Sequence, residues 1–118
     1  MKQSSETVEM FRPVGPQELD LLRQNGFRRW PPRLPEQPIF YPVTNAKYAA
    51  EISERWNTKD FGYGAVTRFY VRASFMASYP IQQVGGSYHT EWWVPAEDLE
   101  SLNDNIVGLI EVIQEFGA

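Results

Sequence analysis

The chain has 118 residues, 42% hydrophobic and 22% charged, with 11 basic against 15 acidic residues and a net charge of −4. That is one domain's worth of chain with an ordinary globular composition, which excludes both a multidomain arrangement and a disordered polymer. Cysteine is absent and His89 is the single histidine, so disulfides, thiolate metal centres, cysteine nucleophiles and a multi-histidine zinc site are excluded together.

Residues 1–6 read as a polar, disordered tail and residues 7–118 as a single domain. Val8, Met10, Arg12 and Val14 alternate with Thr7, Glu9 and Phe11, the period of a strand that places Arg12 on an apolar face. Gly15-Pro16 ends this strand and opens a helix over Gln17 to Asn25, closed by Gly26. Residues 28–38 hold four prolines and must run as an extended or turn-rich loop. Ile39 to Val43 reads as a strand in which Pro42 argues for an edge or a bulge. Thr44 or Asn45 then caps a helix through Asn57, with Tyr48, Ile52 and Trp56 on one stripe. Asn57 to Gly64 reads as loop.

Ala65 to Val71 forms the next strand, Ala73 to Tyr79 one or two helical turns stopped by Pro80, and Ile81 to Val84 a short strand. Gly85-Gly86 signals a hairpin into Tyr88 to Val94, whose faces are Tyr88/Thr90/Trp92/Val94 and His89/Glu91/Trp93. Pro95 opens a short helix over Ala96 to Leu102, and Asn105 to Phe116 closes the chain as a strand bent at Gly108. The sum is an α+β fold of roughly six strands in a small mixed or antiparallel sheet, with two or three short helices and βαβ-like spacing early in the chain.

Three residues stand out chemically. Glu91 is a carboxylate inside an aromatic strand, either rigidly placed to accept a sugar hydroxyl and stabilise a cation, or simply on a solvent face. Arg12 on its apolar face needs a carboxylate, a phosphate or an anionic ligand, unless it snorkels into water at the strand end. His89 lies two positions before Glu91, about 7 Å along the same strand face, where the two side chains could share a site. Tyr41, Tyr48 and Trp56 form either an aromatic wall for a planar ring or helix-to-sheet packing. Arg28, Arg29 and Arg33 around Trp30 either meet phosphates or lie in a solvated loop. The acidic balance disfavours nucleic acid, and no stretch approaches the roughly 18 apolar residues of a membrane span, so a cytoplasmic protein without a membrane partner is expected.

The segments Phe11-Arg12-Pro13-Val14, Pro31 through Val43, Trp56-Asn57-Thr58 and Glu91-Trp92-Trp93-Val94-Pro95-Ala96-Glu97 resemble short bacterial proteins labelled "ADP-ribosylation/crystallin J1". Neither the size nor the acidic magnesium motif of the all-helical ADP-ribosyl-glycohydrolases is present. The element order is similar instead to a minimal ADP-ribosyltransferase fold, in which a first-strand Arg, a Ser/Thr-bearing strand before a helix and a late-strand Glu surround NAD in a split sheet. The resemblance implies that Arg12 anchors the nicotinamide ribose or diphosphate, Thr44 braces the site and Tyr48 flanks the nicotinamide. Glu91 would bind the ribose 2′-hydroxyl and stabilise the cation as nicotinamide leaves. The catalytic set it implies is Glu91, Arg12 and His89, and the NAD-binding set Arg12, Thr44, Tyr41, Tyr48 and Asn57. No metal is called for, and the acceptor of ADP-ribose is an unknown macromolecule.

Pro42-Val43-Thr44 stands where that fold carries Ser-Thr-Ser, and His89 where arginine-specific members have Gln or Glu. The rival expectation is a non-catalytic protein-interaction module of the same fold, which would present Trp92 or Trp93 as a contact surface.

Overall fold

The computed structural model of the protein describes residues 6–117, so all of the expected tail except Glu6 lies outside the described residues. Alternation along Thr7–Val14 makes β1, and the β-branched and aromatic run Tyr63–Arg72 makes β3. The two pair antiparallel over the whole of β1, from Thr7 opposite Arg72 to Val14 opposite Ala65. The last strand, β7 (Glu111–Gly117), takes the other edge of β3, with a bulge between Val66 and Thr67. Two shorter ladders join β2 (Ile39–Phe40) to β6 (Val94–Pro95) and β4 (Ile81–Gln83) to β5 (Thr90–Trp92).

Val43 stitches these pieces together, because it bridges Phe11 on one side and Glu91 on the other. Its N–H donates to Phe11 O at 2.7 Å and its carbonyl accepts from Phe11 N–H at 3.0 Å. Pro42 has no N–H to give, yet its carbonyl accepts from Trp92 N–H at 2.9 Å, so the interruption expected at Pro42 costs the sheet little. Every pairing among the described residues is antiparallel. The βαβ-like spacing is therefore misleading: the 28–38 loop carries the chain far enough that residues 42–44 return to β1 in the opposite sense.

Helix α1 (Pro16–Gln24) starts at a proline suited to the first turn, and the chain leaves it through Gly26 at φ 73° and Phe27 at φ 61°. The main core lies on the Met10/Val14 face of the sheet and gathers Leu19, Leu22, Trp30, Phe40, Phe69, Leu99 and Leu102. Trp30, expected among solvated arginines, is 1% exposed, with its ring against Phe40 and Phe69 at 5.4 and 5.0 Å. Trp30 thus anchors an otherwise largely exposed loop in the core. A smaller cluster on the other face holds Phe11, Val43, Ala49 and Val66 beneath α2 (Ala46–Ile52).

Asn45, not Thr44, caps α2, its Oδ1 accepting from Tyr48 N–H at 2.8 Å. The helix does not end at Asn57. It passes through a π turn (Ser53–Asn57) into α3 (Thr58–Phe61), which closes at Gly62 with φ 74°. The extra residue per turn rotates the expected stripe: Trp56 is 57% exposed, while Ser53 is buried and its Oγ donates to Ala65 O at 2.6 Å. Gly64 makes this approach possible, since a Cβ there would sit 2.7 Å from Asn57 Cβ and 2.8 Å from the Ser53 carbonyl. Gly64→Ala is expected to destabilise the fold by about 2 kcal/mol through overpacking, measured as a lower urea midpoint.

Late in the chain the helical turn α4 (Ala73–Met76) and a 3₁₀ turn (Ala96–Asp98) leading into α5 (Leu99–Asp104) fall where expected. The final strand begins only at Glu111, because Gly108 turns the backbone at φ 83° and Ile106 is spent bridging Val71. The Cα radius of gyration, 13.9 Å, is that of one folded unit of this length, about 13–14 Å. Among the described residues no helix is long and apolar enough to cross a membrane.

Candidate functional site

Glu91 lies at the middle of β5, between Gln82 of β4 and Val43. Its backbone is therefore held on both sides and its side chain points away from the ladder into a hollow of about 530 Å³. Arg12 and Pro13 of β1, Tyr41, Val43, Ile52 of α2, Glu91 and Trp93 line it, a ligand-sized, mostly apolar concavity. Arg12 and Glu91, distant in sequence, thus face one cavity, and each is only 9% exposed. The solvent-face alternative for Glu91 does not hold.

The two charges do not pair with each other. Arg12 forks onto Glu18 of α1, Nε to Oε2 at 2.8 Å and Nη2 to Oε1 at 3.0 Å, while Nη1 donates to Tyr41 O at 3.3 Å. Its guanidinium lies 4.6 Å from the Phe40 ring centroid. Arg12 neither snorkels into water nor awaits an external anion, because Glu18 already supplies the carboxylate. Glu18 is a site residue that sequence reasoning missed, as it missed Trp93 as a donor to Glu91; Glu18 is the harder of the two to foresee. Its one signal is an acidic residue in the first turn after the Gly15-Pro16 corner, and only that corner folds α1 back along β1.

Glu91 accepts from neutral donors alone, Tyr48 Oη at 3.1 Å and Trp93 Nε1 at 2.7 Å. No ion pair reaches it among the described residues. Trp93 bonds the carboxylate through its indole nitrogen while its ring stays 44% exposed at the cavity rim. Burial, reinforced by the neighbouring Glu91 charge, pushes the Tyr48 phenol up to about 12, so it stays a hydrogen-bond donor to Glu91 across the neutral range.

The other expected residues divide. Tyr41 lines the main hollow. Asn57 lines an adjoining one of about 290 Å³ with Arg12, Gly15, Gln17 and Phe61. Thr44 lines neither; its hydroxyl bonds the Thr90 hydroxyl and its N–H donates to Thr90 O at 3.1 Å, so it braces residues 42–44 against β5.

His89 is not in the cavity either. The strand begins at Thr90, and His89 belongs to the preceding turn, where strand alternation no longer applies. Its Nδ1 accepts from Gly86 N–H at 2.8 Å, which leaves Nε2 to face Glu51 Oε1 at 3.2 Å. Tyr88 also donates its hydroxyl to Glu51, and that bond, helped by His89, lowers the Glu51 carboxyl. His89 meets the Glu91 site through Tyr48, with ring centroids 4.8 Å apart.

Burial likewise pushes Tyr63 and Tyr79 up to about 12, each donating at 2.7 Å, to Glu115 and Asp98. With Tyr48 these phenols titrate later folded than unfolded. Their stabilisation is therefore whole below pH about 10 and lost as pH rises through about 12. A phenolate absorbance titration should show these three tyrosines, together with Tyr88, which its hydrogen bond to Glu51 also raises, ionising late, with the urea midpoint falling as the three titrate.

Comparison of the chain with known protein families, characterised proteins and solved structures finds no match.

Proposed function

We propose that the main hollow binds the nicotinamide riboside half of NAD and that the protein transfers ADP-ribose to a macromolecular acceptor, as an ADP-ribosyltransferase-like domain. The observation that carries this reading is Glu91: a recessed carboxylate with no cationic partner among the described residues, held by Tyr48 and Trp93 in the lining of a hollow that also has Tyr41 in its wall. A pyridinium ring joined to a ribose is a planar cation carrying hydroxyls. Tyr41 and Trp93 offer it π faces, and Glu91 offers an acceptor for a ribose hydroxyl and a negative charge beside the anomeric carbon.

In the step this supports, the C1′–N1 bond breaks and its electron pair leaves on nicotinamide. The acceptor's nucleophile bonds to C1′ and loses its proton to solvent. No electron is gained or lost overall. Glu91 acts on the positive charge that grows on the ribose, which is where stabilisation accelerates the reaction. Arg12, engaged by Glu18, acts as a positioning residue that fixes one wall rather than as a free anion ligand.

Titration of the protein with NAD, read on the Trp93 indole N–H resonance with nicotinamide release followed in parallel, tests the reading. Movement of that resonance together with release is expected; no movement at millimolar NAD overturns it. A second reading, a non-catalytic interaction module, draws on the exposed aromatic rings Tyr41, Trp56, Phe61 and Trp93. Under it NAD moves nothing, and Trp93→Ala weakens a protein partner instead.

A further inference from the structure

Gly85-Gly86 signals a hairpin in the sequence, and in the structure its turn is built around the His89 side chain. Gly86 O accepts from His89 N–H at 3.0 Å and His89 O accepts from Val84 N–H at 2.9 Å. Gly86 N–H donates back to the imidazole at Nδ1, 2.8 Å away. A Cβ on Gly85 would lie 2.6 Å from that nitrogen, so glycine is what lets the ring close on the turn. The opposite edge of the ring leaves the hairpin, with Nε2 facing Glu51 Oε1 of α2 at 3.2 Å. The imidazole is thus a strut between the hairpin that carries Glu91 and the helix that carries Tyr48.

This strut depends on protonation. To accept from Gly86, Nδ1 must keep its lone pair, so the proton of the neutral ring sits on Nε2 and points at Glu51. A second proton goes to Nδ1, where N–H then opposes N–H and the bond to Gly86 is lost, while the contact with Glu51 becomes an ion pair. On α2, Glu51 favours the cation and Lys47, with Nζ 4.2 Å from the Tyr88 ring centroid, opposes it. Arg55 of the π turn acts on Glu51. The rings of Tyr48 and Tyr88 flank the imidazole, centroids 4.8 and 4.4 Å away, and β4, Ile-Gln-Gln, brings no charge. The Tyr88 hydroxyl above all holds the Glu51 carboxyl low, so Glu51 is ionised wherever a histidine titrates.

We propose that His89 is a proton-operated switch at the Glu91 hollow. The neutral ring pins the Gly85-Gly86 turn; the charged ring releases the turn, stays on Glu51 and sets a cation against Tyr48, the hydroxyl donor to Glu91. That cation polarises the Tyr48 O–H toward Glu91 and repels positive charge in the hollow, so both effects weaken a cationic ligand as the pH falls. The identity of that ligand rests on the riboside reading, whereas the pinning of the turn does not.

Amide and indole resonances of the whole protein, followed from about pH 5 to 8 across the ordinary histidine range, test the switch. His89 is the single histidine, so its ring signals are unambiguous. The Gly86 amide and the Trp93 indole N–H are expected to move with one midpoint, that of the His89 ring. Both should stop moving in His89→Gln, whose side-chain carbonyl can accept from Gly86 at every pH. A Gly86 amide indifferent to the ring in the wild type, or a Trp93 shift that persists in His89→Gln, overturns the switch. Nicotinamide riboside probes the hollow: wild-type affinity should be at least about fivefold weaker below the midpoint than above it, the low end of ordinary coupling between sites, and equal at both in His89→Gln. Equal wild-type affinity on the two sides of the midpoint overturns the coupling. No riboside binding at any pH, with both resonances still following the ring, removes the riboside reading and leaves the switch standing.

Discussion

Replacing Glu91 with glutamine should lower the rate of nicotinamide release by about 10²–10³-fold, the loss seen when one preorganised electrostatic group is removed from a charge-developing reaction centre. The substitution preserves shape and deletes charge. The glutamine carbonyl oxygen can still accept from Tyr48 or from Trp93 but not from both, since its other terminal atom is now itself a donor. Binding should suffer less than turnover, because the charge that Glu91 offsets is greatest as the glycosidic bond breaks. Single-turnover release measured beside NAD affinity separates the two. A variant releasing nicotinamide as fast as the wild type would remove Glu91 from the chemistry.

Asn103→Ala should lower stability by about 2–4 kcal/mol, since it orphans two buried backbone groups at once. The Asn103 side chain accepts from Trp30 N–H at 2.8 Å and donates to Trp30 O at 3.0 Å, and the residue is 4% exposed. This clamp holds the proline-rich loop against α5 and so seats the Trp30 ring between Phe40 and Phe69. Phe40 in turn carries both Arg12 and Arg33. Loss of the clamp should reduce Tm by about 10 °C and speed proteolysis within residues 28–38. Asn103→Asp keeps the acceptor but sets a carboxylate oxygen against the Trp30 carbonyl, and should recover little of the loss.

The elements that were legible are those whose period is local. Strands β1 and β3, the α1 corner at Gly15-Pro16, the Gly85-Gly86 hairpin and the cap at the start of α2 follow from alternation, proline placement and capping chemistry. Trp56 was misplaced because a π turn leaves no mark on a 3.6-residue stripe. It arises where Ser53 seeks the Ala65 carbonyl across a gap that Gly64 leaves open. The stretch from Asn105 to Ile110 reads as strand by composition, but it keeps a single bridge to β3, Ile106 to Val71, while others of its N–H groups donate to Leu102, Asn103 and Phe27. His89 was assigned a face by counting back along a strand that starts one residue later.

Composition and periodicity alone were enough to place Arg12 on an apolar strand face and Glu91 inside a late strand, and to exclude cysteine and multi-histidine chemistry. They were silent on the partners of those two charges. Which carboxylate takes Arg12, and whether Glu91 meets a cation or only Tyr48 and Trp93, depends on Val43 bridging β1 to β5 and on α1 folding back beneath the Gly15-Pro16 corner. Those are contacts between distant parts of the chain. Pairing and desolvation of a charge are set by what surrounds it in space, and no local pattern of residues encodes those surroundings.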